Sequence, residues 1–316
     1  MDVPTVALGG GHGLAASLSA LRRVTSELTA VVTVADDGGS SGRLRRELGV
    51  LPPGDLRMAL AALCSDDEWG QTWSRVAQHR FRSEGALHDH ALGNLLIVAL
   101  WELLGDSVAG LDWVARLLAA EGRVLPMSVV PLDIEARVRE DAPAAGSSYR
   151  KVRGQEAVAT AHGTVELIGL LPPDPPACPE AVAAVSSAEW VVFGPGSWFT
   201  SVIPHVLVPG LADALTQTAA RRLVALNLAP QAPETDGFSP EAHLEALGQH
   251  APDLRLDVVL ADATSVTDVS ALEHAAAAFG AEVVLARVRR SDGSAQHDPV
   301  LLAAAYRDIF SRVRER

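Results

Sequence analysis

An apolar, β-branched run, Val31-Val32-Thr33-Val34-Ala35, stops on two adjacent carboxylates, Asp36 and Asp37. The small residues Gly38-Gly39-Ser40-Ser41-Gly42 follow as a flexible loop, and then come the guanidiniums of Arg43 and Arg45. A run without polar alternation reads as a parallel strand buried on both faces, which needs helices above and below it. The carboxyl end of such a strand is where an open α/β sheet holds its ligand. Small residues there let backbone N–H groups approach an anion. Carboxylates beside them take a hydroxyl or a metal ion, and guanidiniums take phosphate. The chain is thereby directed to an α/β sheet with its chemistry at one end.

Two further segments repeat this logic. Thr5-Val6-Ala7-Leu8 is a short apolar strand, followed by Gly9-Gly10-Gly11-His12-Gly13 and a helical pattern over residues 14–23. Strand, glycine loop and helix N-terminus together bind phosphate through backbone amides and the helix dipole. The match to the dinucleotide fingerprint is incomplete, because Leu14 stands at its third glycine position. Val191-Val192-Phe193 likewise runs into Gly194-Pro195-Gly196-Ser197, with Thr200 and Ser201 just beyond. This loop can surround a phosphate or sugar, and it reads equally well as a Pro-Gly turn with Ser197 as a helix cap. Asn227, near the end of an apolar run over residues 223–228, either reads a base or sugar hydroxyl or organises its own loop.

Helical periodicity covers residues 55–121 and opens on Pro52-Pro53-Gly54-Asp55, with Asp55 placed to cap. Short alternating runs over residues 129–171 predict an antiparallel excursion. Strand and helix then alternate again, with strands at 190–193, 223–228, 258–260 and 283–288 and a last helix at 299–312. The pattern predicts one α/β domain over residues 1–316: a mostly parallel sheet interrupted by a helical and a small β insertion.

A net charge of −13 gives no general field for nucleic acid. Cys64 and Cys178 lack metal spacing and read as reduced thiols of a cytoplasmic protein. The N-terminus has no signal-peptide pattern, and the longest apolar run, residues 95–101, is too short to span a bilayer. Lys151 is the single lysine, so a Walker lysine is excluded, and no Gly-x-Ser-x-Gly elbow occurs. His88 and His90 have no third ligand at metal spacing and read as helix-start polar residues. Asn94, beside Gly93 in an apolar helix, needs a partner.

With these segments assembled, the chain resembles the YvcK family, the gluconeogenesis factors of the CofD-like superfamily. The matching stretches are Gly9 to Gly13, Thr33 to Arg45, Pro53-Gly54-Asp55-Leu56-Arg57, Gly93-Asn94-Leu95, Gly194 to Ser201 and Glu234-Thr235-Asp236-Gly237-Phe238. His12 stands where many members carry Thr, in a wording that resembles actinobacterial members. The resemblance implies a Rossmann-like fold and a cytoplasmic regulator that binds a UDP-sugar such as UDP-N-acetylglucosamine. It also implies links to gluconeogenic growth, cell shape and peptidoglycan synthesis, a protein partner in cell-wall synthesis, and a homo-oligomer. On this reading Gly10, Gly11 and His12 hold the diphosphate, Asp36 or Asp37 takes ribose or sugar hydroxyls, and Arg43 pairs with phosphate. Gly194, Gly196 and Ser197 close around the sugar, with Ser40, Ser41, Asn94, Thr200 and Asn227 completing the ligand set. No catalytic residue is assigned. The competing class is the magnesium-dependent 2-phospho-L-lactate transferase of coenzyme F420 synthesis, with Asp36 or Asp37 holding Mg²⁺. The loops after the acidic pair and after Phe193 depart from that enzyme's pattern. An NAD-dependent oxidoreductase is a third, weaker reading, given Leu14 and no evident proton donor.

Overall fold

The computed structural model describes residues 2–140 and 148–314. Strand β1 (Thr5–Gly9), helix α1 (Gly11–Leu21) and strand β2 (Leu28–Val32) come first. A run of helices follows: α2 (Gly39–Leu48), α3 (Gly54–Ala62), α4 (Glu68–Gln78), α5 (Leu92–Leu104) and α6 (Ser107–Leu117). Next are β3 (Arg123–Pro126), β4 (Asp133–Arg139), β5 (Tyr149–Arg153), the short α7 (Gln155–Ala159) and β6 (Thr164–Leu171). The rest alternates: α8 (Pro179–Ser187), β7 (Trp190–Phe193), α9 (Pro209–Gln217), β8 (Arg221–Ala225), α10 (Pro240–His250), β9 (Val258–Asp262), α11 (Val269–Ala277), β10 (Glu282–Ala286) and α12 (Pro299–Arg314).

Among the described residues, seven strands form one sheet in the order β10-β9-β8-β7-β1-β2-β3, each pair parallel. β1, β7 and β9 are buried at every position, as their unbroken apolar runs require. The chain winds outward from β1 through β2 to β3, then returns to the other side of β1 with β7. Thr5 thus pairs with Leu28 on one side and Trp190 on the other. The order reverses between β1 and β7, which places the ligand crevice at their carboxyl ends. α12 closes one face against α1: the buried Ser17 and Tyr306 hydroxyls pair at 2.8 Å, and Phe310 stacks on Trp190 at 4.5 Å.

Two local readings change in the structure. Residues 38–42 are not one flexible loop, because Gly39 already begins α2. Gly39 turns the chain with φ +45°, and at Gly42 a Cβ would collide with the Asp37 carbonyl. This helix thus opens on glycines that its own tight turn requires, although their propensity opposes it. Asp55 is not a cap either: α3 starts at Gly54 with Pro53 at its N-cap, and the Asp55 carboxylate accepts from the Gly11 N–H instead.

β5-β4-β6 form a separate antiparallel sheet. Polar contacts fasten it beside the crevice. Asp37 Oδ1 accepts from the Glu156 N–H at 2.9 Å. Asp133 bridges Arg45 at 2.5 Å and Arg153 at 2.6 Å. His250 Nε2 accepts from the Ile168 N–H at 3.0 Å. Asp37→Ala should therefore cost about 1 kcal/mol, the usual worth of a side-chain cap. Hydrogen exchange should then quicken in residues 149–171 while β1 and β7 stay protected. Uniform loss of protection would refute this local role. Among the described residues no single helix is long and apolar enough to cross a membrane.

Candidate functional site

The crevice is built on two interlocked backbones. A Cβ on Gly13 would come within 2.6 Å of Gly196 Cα and would overlap the Pro195 carbonyl. The start of α1 therefore packs directly on the loop after β7. A Cβ on Gly10 would lie 2.5 Å from both Asp55 Oδ2 and Thr33 Cγ2, so that glycine admits a carboxylate against the main chain. Gly11 has φ +58° and open space around it. Gly194 covers the end of β1, where a Cβ would stand 3.2 Å from the Leu8 carbonyl. From the exposed His12 a groove of about 740 Å³ runs along the N-terminal turns of α1, lined further by Asn227, Gln231, Arg290, Gln296 and His297. Its volume suits a nucleotide-sized ligand.

On the other side of Gly10 lies an acidic recess. Adjacent in sequence, Asp36 and Asp37 part here. Asp37 turns to α7 as described. Asp36 accepts from the Gly38 N–H at 3.0 Å and from Ser41. Burial, and then Asp37, raise its carboxyl against those bonds. Burial and the neighbouring Asp36 push Asp55 up to about 7, against the Gly11 N–H and Arg57. Two neighbouring carboxylates, each raised chiefly by burial, are a fit for a divalent cation. No group of three or more His, Cys, Asp or Glu side chains at metal spacing occurs among the described residues.

The remaining candidates divide between the recess and its supports. Ser40 Oγ is fully engaged: it pairs with His90 Nδ1 at 3.0 Å and accepts from Asn94 Nδ2 at 3.0 Å and the Ala91 N–H at 3.3 Å. Asn94 Oδ1 stays enclosed without a partner. Arg43 reaches away, donating to the His88 and Ala86 carbonyls. Ser197 and Thr200 bond each other, and Ser197 Oγ donates to the buried Glu234, which also receives the Phe199 N–H at 3.0 Å. Burial raises Glu234 against these bonds.

Asn227 latches Gly196 in both directions. Its Oδ1 accepts from the Gly196 N–H at 2.8 Å, and its Nδ2 donates to the Gly196 carbonyl at 2.7 Å. Asn227→Ala leaves both backbone groups unpaired and should cost about 1–3 kcal/mol in chemical denaturation. An unchanged midpoint would show that the latch is dispensable.

Asp262 and His297 were not singled out in the sequence. Asp262 anchors the loop after β10, accepting from Val288 and Arg289 N–H at 2.8 and 3.0 Å and from Thr264. Those bonds outweigh its burial and hold it below the ordinary range. Burial holds His297 neutral, down to about 4. Their signal was only a carboxylate ending an apolar strand and a histidine before the last helix.

The comparisons agree with this architecture. A profile described as 2-phospho-L-lactate transferase CofD matches residues 5–294. A Mycobacterium tuberculosis protein provisionally named a gluconeogenesis factor is 54% identical over 97% of this chain and 90% of its own length. A gluconeogenesis factor of Halalkalibacterium halodurans is 36% identical over 85% of this chain and 80% of its own. The crystal structure of a UPF0052 family member from Bacillus halodurans superposes with a TM-score of 0.85 at 32% identity, covering 96% of this chain and 98% of that one. The chain belongs to the CofD family, among its gluconeogenesis factors.

Proposed function

We propose that this protein is a regulator that binds a UDP-sugar of the UDP-N-acetylglucosamine type. The observation that carries the reading is the groove of about 740 Å³ that starts at the α1 N-terminus and ends at His297. The nucleoside lies along Asn227 and His297. The diphosphate meets the start of α1 at His12 and Gly13, which line the groove, since Asp55 already takes the Gly11 N–H, and the sugar turns toward the loop held by Ser197. Where Mg²⁺ takes part, Asp36 and Asp55 hold it and it offsets phosphate charge. The regulated processes are gluconeogenic growth, cell shape and peptidoglycan synthesis, served in the cytoplasm through a cell-wall partner. The family profile's description favours a second reading, an Mg²⁺-dependent phosphoryl-linked transferase.

Calorimetry tests the first reading. UDP-N-acetylglucosamine should bind at least about tenfold more tightly than uridine, because losing the diphosphate forfeits charge-assisted bonds of about 1.5–3 kcal/mol each. Equal affinities would sink it. Phosphorus NMR of the same mixture with Mg²⁺ should show no release of UDP or UMP, and steady release would establish the transferase instead.

A further inference from the structure

Arg57, in the first turn of α3, is only 5% exposed. No hydrogen bond or ion pair to a described residue engages its guanidinium, and its Nε is enclosed without a partner. Other sheltered guanidiniums in this fold are neutralised: Arg22 by Asp66 and Glu121, Arg45 by Asp133. A guanidinium held out of water without a hydrogen-bonded counter-ion is costly, and the carboxylates that act on Arg57, Asp55 and Asp36, make no direct bond to it.

The surrounding structure makes room for this side chain. A Cβ on Gly93 would come 2.9 Å from Arg57 Cγ, so α5 keeps a glycine where the arginine stem passes. Asp55 and Asp36 both act on the guanidinium electrostatically, which places it at the acidic recess. Burial, then Arg80, oppose its charge and bring it down to about 10, which still leaves it a cation at neutral pH. Two other enclosed groups near this recess lack partners. Asn94 Oδ1 follows Gly93 in the chain, and Thr33 Oγ1 belongs to the residue packed on Gly10 beside Asp55.

We propose that Arg57 anchors an oxyanion subsite beside the acidic recess, receiving a phosphate or carboxylate group through its guanidinium fork while Arg80 adds positive field. A guanidinium presents paired N–H donors that match either oxyanion. Asn94 Oδ1 and Thr33 Oγ1 then accept from hydroxyl or amide groups on the same molecule. The inference rests on the ligand-binding reading of this site and extends it to a second anionic contact, separate from the glycine loop.

The test follows the Arg57 Nε–H resonance in protein labelled with ¹⁵N-arginine, assigned by its loss in Arg57→Gln. Inorganic phosphate and acetate are titrated separately, each with and without saturating UDP. The resonance should shift with phosphate, acetate or both. Arg57→Gln should weaken the phosphate affinity seen by calorimetry by about tenfold to a hundredfold, and Arg57→Lys should restore part of it. If UDP displaces phosphate, the subsite takes the nucleotide's own terminal phosphate. If phosphate binds alongside UDP, it takes a separate small acid. Either result supports the subsite. An unmoved resonance with both anions, or equal affinity of wild type and Arg57→Gln for the anion that moves it, overturns it. UDP binding to the wild type independently checks the nucleotide groove, so failure of the subsite and failure of the groove are told apart. Should Arg57→Gln not fold, the wild-type resonance still decides, assigned through Arg57→Lys.

Discussion

Asp55→Asn should melt at a higher temperature than the wild type at pH 8 in metal-free buffer, with the gap closing toward pH 4. The Asp55 carboxyl stands at about 7 in the folded chain against an ordinary 3.8, through burial first and the neighbouring Asp36 second. Between those two values the folded chain keeps a proton that the unfolded chain has released. Stability from this residue is therefore complete below the lower value and is lost as pH rises through the upper one. Asparagine never ionises and can still accept the Gly11 N–H, so the variant escapes that loss. Mg²⁺ should raise the wild-type melting temperature at pH 8 and have little effect on the variant, because the cation relieves the repulsion that the substitution removes. Differential scanning calorimetry across pH reads both effects. A melting difference that is constant with pH would show that Asp55 does not titrate in this range.

Gly13→Ala should be among the most damaging single-methyl additions in the chain. The new Cβ meets backbone on the facing loop, the Pro195 carbonyl and Gly196 Cα, and backbone cannot move aside by changing a rotamer. Overpacking of this kind costs about 1–3 kcal/mol, and more where the neighbour cannot yield. The strain enters the crevice itself, so ligand affinity should fall along with stability. At Gly11, with open space but φ +58°, the same substitution meets no clash, only the left-handed penalty. Gly11→Ala is thus the matched control and should lose less in chemical denaturation. If it loses as much as Gly13→Ala, close packing is not the reason for the glycine at 13.

Much of the architecture could be read in the chain because buried parallel strands announce themselves. Thr5-Val6-Ala7-Leu8 and Trp190-Val191-Val192-Phe193 carry no polar alternation, and each ends in glycines that the structure places on opposite sides of one crevice. The paired shorter runs within residues 129–171 likewise become β4 and β6 of the antiparallel sheet. The division of labour between Asp36 and Asp37 could not be read. Which of two neighbours faces inward depends on a helix whose Glu156 lies 119 residues further on. Ser40 carried the signature of a ligand loop, and its partners, His90 and Asn94, come from a different helix region. Arg57 sat beside an acid in a helix start, where local pairing is the ordinary outcome. Only the tertiary structure shows it unpaired.

The position of β1 also bears on how this chain comes into being. β1 precedes every other strand of the sheet in the chain yet lies in its interior, and one of its two flanks is filled by a strand starting at Trp190. Throughout synthesis of the intervening segments, an apolar strand presents an open hydrogen-bonding edge to its surroundings. Non-local parallel pairing forms slowly, because a long loop must close before any contact rewards it. The nascent chain is therefore exposed to mispairing until β7 arrives, and a truncation ending before Trp190 should aggregate through that edge. The crevice between β1 and β7 comes into existence at the same moment as the closed sheet, so a ligand bound there stabilises the completed molecule and not the early chain.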